Sequence, residues 1–174
     1  QGSQLQDFWA DIDSPNSGAG ELLGYPTQKP LALLERIIMA SSNPGDLVLD
    51  PFCGCGTAVH AAQKLDRRWL GIDITYLAIG LIRRRMEDAF PGLAVNEVGV
   101  PFDLPGAAAL AAHDPYQFQF WAIDKLGAQP VGGEHKRGAD RGIDGVIPFV
   151  EGATNLKRVI VSVKAGKLTP AFVP

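Results

Sequence analysis

The stretch Asp50-Pro51-Phe52-Cys53-Gly54-Cys55-Gly56-Thr57-Ala58 restricts the fold of this chain more than any other. Glycines at alternate positions let a backbone turn sharply and approach a ligand with no Cβ in the way. Upstream, Asn43-Pro44-Gly45-Asp46 reads as a turn into the short apolar strand Leu47-Val48-Leu49-Asp50, expected to be buried. Downstream, residues 57–65 read as a helix whose first N–H groups have no intrahelical partner. Trp69-Leu70-Gly71-Ile72-Asp73 reads as the next strand, and Asp73 ends it seventeen residues after Gly56. In nucleotide-binding sheets an acid at that place accepts hydrogen bonds from ribose hydroxyls.

The flanking segments extend the alternation. Leu31, Leu34, Ile37 and Ile38 recur at helical spacing over residues 29–42, with Pro30 suited to the first turn. Residues 75–89 read as a third helix, basic on one side through Arg83, Arg84 and Arg85. Helix, strand, helix, strand, helix is the start of a doubly wound α/β sheet, with the glycine loop at its carboxyl edge. The expected fold class is α/β, with a partial Rossmann-like domain over residues 1–90. Residues 91–115, rich in Pro, Gly and Ala, read as a connector, and residues 116–174 as a second, smaller module.

Length and composition exclude several classes. A chain of 174 residues, 46% hydrophobic and 20% charged, is built like an ordinary globular protein with one or two cores. No apolar run is long enough to cross a bilayer and no signal-peptide pattern opens the chain, so no membrane partner is expected. The two cysteines, Cys53 and Cys55, are one residue apart. A disulfide between them would be strained and a structural zinc site would need further ligands, so a reduced, cytoplasmic setting is expected. The net charge of −3 is uneven: residues 1–133 hold nine Lys/Arg against fifteen Asp/Glu, and residues 134–174 hold seven against four. Any nucleic-acid surface is therefore local.

Gly24-Tyr25-Pro26-Thr27-Gln28-Lys29-Pro30, a helix, and then Asp50-Pro51-Phe52-x-Gly-x-Gly-Thr closely resemble the N6-adenine and N4-cytosine DNA methyltransferases. The resemblance covers residues 22–90. It implies that S-adenosylmethionine is the cofactor and that Thr27, Lys29 and Pro30 border its methionine portion. It further implies that Asp50, Phe52, Gly54 and Gly56 form the cofactor loop and that Asp73 is the ribose-binding acid. Cys55 stands where the family usually has a serine of similar size.

The family's catalytic tetrapeptide, (Asp/Asn/Ser)-Pro-Pro-(Tyr/Phe/Trp), accepts the amino hydrogens of a flipped base and stacks on its ring. No such tetrapeptide occurs here, so no catalytic residue for methyl transfer is assigned. The nearest string, Asp114-Pro115-Tyr116, is accounted for by a helix start with Asp as N-cap and Pro at the first position. In one subclass the tetrapeptide lies upstream of Thr-x-Lys-Pro. Together with the opening Gln1-Gly2-Ser3 and the abrupt end at Pro174, that order leads us to expect a piece of a longer enzyme, inactive alone.

Beyond the connector, residues 116–126 read as a helix, and residues 142–150 and 157–164 as strands joined by a Gly/Thr/Asn turn. Asp144 on one strand and Ser162-Val163-Lys164 on the next resemble the core of PD-(D/E)xK restriction nucleases, in which two acids hold Mg²⁺ beside a lysine. Ser162 replaces the second acid and Gln119 stands where a helix glutamate is common, so Asp144 is the lone candidate metal ligand and would hold Mg²⁺ poorly. Lys136, Arg137, Arg141, Lys157, Arg158, Lys164 and Lys167 add local positive charge for phosphate contact. The expected partner is double-stranded DNA. Two alternatives to the methyltransferase reading stand beside it: a Mg²⁺-dependent DNA nuclease, and a non-catalytic DNA-binding module.

Overall fold

The computed structural model describes residues 8–15, 21–131, 142–152 and 154–166. They fall into two compact units, Gln1–Asn96 and Glu97–Pro174.

The first unit contains α1 (Leu31–Ser41), β1 (Leu47–Asp50), α2 (Thr57–Lys64), β2 (Arg68–Gly71) and α3 (Tyr76–Ala89). The two strands pair in parallel, Leu47 with Arg68 through Asp50 with Gly71. Parallel pairing requires a crossover, and α2 supplies it. Val48 and Trp69 point to one face. There they pack against the cluster of Ile38 from α1 with Ala61 and Ala62 from α2, and Trp69 packs also against the cluster of Cys53, Val59, Ile82 and Met86. Arg67 is buried in the turn before β2, donating to the Ser42 carbonyl at 2.7 Å and to the Leu65 carbonyl at 2.6 Å, which ties the end of α1 to the strand pair. This is a partial Rossmann-like α/β layer.

Two expectations need correction in this unit. The strand at Leu47-Val48-Leu49-Asp50 is not buried on both sides, for Leu47 and Leu49, with Leu70 and Ile72, are half-exposed on the other face. Parallel strands become fully buried only when helices cover both faces, and all three helices here gather on the face of Val48 and Trp69. Nor do Arg83, Arg84 and Arg85 share one basic side of α3. Successive helical residues are about 100° apart, and Arg85 turns inward and is buried.

The second unit comprises α4 (Leu104–His113), α5 (Pro115–Lys125), β3 (Gln129–Pro130), β4 (Gly145–Glu151) and β5 (Asn155–Val161). The strands form an antiparallel sheet in the order β3-β4-β5, with Gly145 opposite Val161 and Glu151 opposite Asn155. Ile123, Ala128 and Val161 form its core, with Ile147 and Val163 packed on them.

Within residues 91–115, read as a connector, the structure has the helix α4. Asp103 caps it through the Gly106 N–H at 2.8 Å, and Pro105 sits in the first turn, where its missing N–H costs nothing. The Pro and Gly that suggested a connector are thus features of a helix start. The strands of the tail overlap their expected positions, with ends displaced by one to three residues. Asp144 immediately precedes β4, and Ser162 to Lys164 follow β5.

Candidate cofactor site

The loop between β1 and α2 is laced to the end of β2. Cys53 N–H donates to the Ile72 carbonyl and Ile72 N–H to the Asp50 carbonyl, both at 2.9 Å. Asp73 completes the lacing. Its Oδ2 accepts the Gly54 N–H at 2.9 Å, and its Oδ1 accepts the N–H and hydroxyl of Thr75 at 3.0 Å each. Counting about two lone pairs per carboxylate oxygen, Oδ2 keeps one acceptor position for an outside donor.

Gly56 is the N-cap of α2 at φ 74°, ψ 32°, a left-handed conformation that penalises any Cβ. A Cβ there would also stand 2.7 Å from Ile82 Cγ1, so glycine is required by both backbone and packing. Gly54 has φ 49°, and a Cβ on it would meet the Tyr25 ring at 3.0 Å. α2 has no side-chain cap, and its first two residues, Thr57 and Ala58, border an open space.

That space is a cavity of about 240 Å³, lined by Thr27, Gln28, Lys29, Leu34, Asp50, Phe52, Cys53, Gly54, Cys55, Thr57 and Ala58. Five residues expected from the sequence therefore share one cavity: Thr27, Lys29, Asp50, Phe52 and Gly54. Three do not line it. Pro30 is the N-cap of α1, Gly56 shapes the loop from behind, and Asp73 supports the loop at Gly54. Phe52 is 86% exposed, its apolar ring held open to solvent, while its N–H donates to Asp50 Oδ1 at 3.2 Å. Lys29 Nζ donates to the Thr27 carbonyl at 3.1 Å, placing a cation at the same cavity as the Asp50 carboxylate.

The thiols of Cys53 and Cys55 are free and buried, and burial, with Asp73 and Asp50 nearby, pushes the Cys53 thiol up to about 12. Sequence reasoning missed the support behind the loop. Arg85 Nη1 donates to the Cys55 carbonyl and the Thr57 hydroxyl, and its Nε donates to His60 Nδ1. Tyr25, quoted in the sequence motif without a role, lies against Gly54. Nothing in the spacing marks Arg85, which reads as one of three consecutive surface arginines.

In the second unit, Asp114 caps α5, its Oδ1 accepting the N–H groups of Tyr116 at 3.1 Å and Gln117 at 3.0 Å. Asp144 is buried, and its Oδ2 accepts the Val163 N–H at 2.6 Å. Ser162 and Lys164 are exposed, and Gln119 is half-buried on α5. Among the described residues no group of three His, Cys, Asp or Glu is placed to hold a metal ion. Lys136, Arg137, Arg141 and Lys167 of the expected basic cluster lie outside the described residues.

A glycine loop at the carboxyl edge of parallel strands, backed by an acid at the end of the next strand, is the ligand site of a Rossmann-like α/β layer. Residues 1–82 match the family model described as DNA methylase. The chain is 43% identical over 79 residues to the type II methyltransferase M.EcaI of Enterobacter cloacae, covering 45% of this chain and 18% of that enzyme. It is 54% identical over 65 residues to the DNA adenine methyltransferase YhdJ of Escherichia coli (strain K12), covering 36% and 22%. The crystal structure of the M1.HpyAVI–SAM complex aligns with a TM-score of 0.35 at 44% identity, covering 36% of this chain and 31% of that one. The family model and the two curated relatives bear out the resemblance to N6-adenine and N4-cytosine DNA methyltransferases within residues 1–82. The chain spans about a fifth of the length of these two curated relatives. Among the described residues no helix is long and apolar enough to cross a membrane.

Proposed function

We propose that the first unit is the S-adenosylmethionine-binding part of a site-specific DNA amino-methyltransferase, acting on adenine N6 or cytosine N4 of double-stranded DNA in a reduced, cytoplasmic setting. The observation that carries this reading is the shared cavity of Thr27, Lys29, Asp50, Phe52 and Gly54. Its chemistry fits the cofactor. Lys29 and Asp50 offer opposite charges to a zwitterionic amino-acid end, the open Phe52 ring offers a flat apolar surface to a base, and Asp73 Oδ2 keeps an acceptor position for a ribose hydroxyl. When bound, S-adenosylmethionine supplies an electrophilic sulfonium methyl group. The residues of this chain bind and orient it; the string nearest the catalytic tetrapeptide, at Asp114, serves as a helix cap.

Calorimetry with S-adenosylhomocysteine tests the binding. Saturable one-to-one binding is expected, and its absence from the intact chain overturns the reading. Radiolabelled methyl transfer to unmethylated duplex DNA is expected to be undetectable with this chain alone. Turnover that disappears in Asp114→Ala would instead make Asp114 a catalytic residue.

For the second unit, the antiparallel pairing of β4 with β5 supports a nuclease-like, DNA-contacting module, since it brings Asp144 beside the segment of Ser162 and Lys164. With Asp144 the one carboxylate so placed among the described residues, and already bonded to the backbone, this module binds DNA through its local positive charge and does not cleave it. Retention on duplex DNA that weakens with salt is the expected result, and robust Mg²⁺-dependent cleavage of plasmid DNA is the contrary one.

A further inference from the structure

Arg85 is 7% exposed, and the acceptors around it are neutral. Its Nη1 donates to the Cys55 carbonyl at 3.2 Å and to the Thr57 hydroxyl at 3.1 Å, with Cys55 Sγ at 3.9 Å. Cys55 and Thr57 flank Gly56, the residue in the left-handed conformation. One guanidinium therefore grips the loop on both sides of its most constrained residue. A buried guanidinium ordinarily faces a carboxylate, because its desolvation is costly unless offset. Here the remaining hydrogen bond runs from Nε to His60 Nδ1 at 3.0 Å. His60 stands on α2, and its ring meets Phe90 edge-on at 5.2 Å. To accept that bond the imidazole must carry its proton on Nε2.

We propose that Arg85 is the positioning residue of the glycine loop, clamping it on both sides of Gly56, and that the clamp holds only while His60 presents an unprotonated Nδ1, so that cofactor binding weakens in acid. The binding half of this inference rests on the reading of the loop as a cofactor site; the clamp itself does not.

The physical reason is a clash of donors. A protonated imidazole has N–H groups on both nitrogens, so Nδ1–H would face Arg85 Nε–H, and two cations would share a partly buried site. The groups facing His60 act unequally. Burial, then Arg85 and Lys64, lower its affinity for a proton, while Glu35 and Glu21 raise it. Since the native pKa lies below the ordinary 6.5, proton uptake favours the opened state. The clamp is complete above about pH 6.5 and is lost as pH falls through the lowered native value.

The test uses the full 174-residue chain and two readouts between pH 8 and pH 5. Amide exchange over residues 53–60, corrected for intrinsic rates and compared with residues 31–41, reports the clamp without any ligand. Calorimetry with S-adenosylhomocysteine reports binding. In the parent, loop protection is expected to fall about tenfold toward pH 5, as loss of a hydrogen bond to a charged group predicts, while α1 changes less and affinity falls in parallel. His60→Asn keeps a neutral acceptor and should abolish the pH dependence. Arg85→Met should remove loop protection at every pH, and Arg85→Lys should restore it only in part. A pH dependence that survives His60→Asn overturns the switch. Loop protection that survives Arg85→Met, or falls equally in α1, overturns the positioning role. If Arg85→Met does not fold, His60→Asn and Arg85→Lys decide the matter. A parent that exchanges as expected but binds no S-adenosylhomocysteine leaves the clamp standing and refutes the cofactor reading.

Discussion

The Asp73 carboxylate reaches back nineteen residues to accept the Gly54 N–H at 2.9 Å, so the acid after β2 is also a structural brace of the loop after β1. The same group also starts α3, through the Thr75 N–H and hydroxyl. Loop geometry and the start of α3 are thereby joined in one side chain.

Replacing Asp73 with Ala should therefore act twice. Loss of the Gly54 and Thr75 bonds should lower the melting temperature, and S-adenosylhomocysteine binding should weaken by about 1–3 kcal/mol. Calorimetry and thermal unfolding measure the two effects separately. Parent-like affinity in Asp73→Ala would show that the acid touches no ligand.

Phe52 offers the opposite separation. Because its ring is open to solvent, Phe52→Ala should leave stability within about 0.5 kcal/mol of the parent. Affinity for S-adenosylhomocysteine should nevertheless fall, since the ring borders the cavity. A drop in melting temperature with unchanged affinity would make Phe52 a packing residue only.

Gly56→Ala should cost about 1–3 kcal/mol of stability, because the residue is left-handed and its new Cβ would press on Ile82. Gly92, at φ 89° with open space around it, provides the comparison: Gly92→Ala carries the backbone penalty alone and should cost less. Chemical denaturation of the two variants measures the difference. Equal costs would remove the packing argument at Gly56.

In the second unit, Asp144→Ala should destabilise by about 1–3 kcal/mol, since it leaves the Val163 N–H without its buried acceptor. Plasmid cleavage in Mg²⁺ should be absent from parent and variant alike. Cleavage by the parent that is lost in Asp144→Ala would make this carboxylate a metal ligand and the tail a nuclease.

Local chemistry explains what was legible beforehand. Alternate glycines after an apolar strand, a helix and a second strand ending in Asp73 can form few structures other than a strand-loop-helix edge. The antiparallel pair beside Asp144 was similarly visible, although the strand ends lie one to three residues from their expected places. Strand ends depend on pairing partners, which no single segment contains. Residues 91–115 misled because Pro105 and Gly106 read as breakers until Asp103 is seen to cap them.

The sequence by itself determined the order of elements in the first unit and the glycine loop after its first strand, because both follow from backbone freedom and hydrophobic period over a few neighbouring positions; Thr27, Lys29, Asp50 and Phe52 were marked beforehand only by the family resemblance. Only the tertiary structure decided which face of the parallel pair is covered, that Asp73 braces Gly54, and that Arg85 leaves its two neighbouring arginines to grip the loop at Cys55 and Thr57. Those contacts join residues 19 to 30 positions apart, and they form where packing makes burying a charge among good acceptors less costly than leaving the loop unsupported.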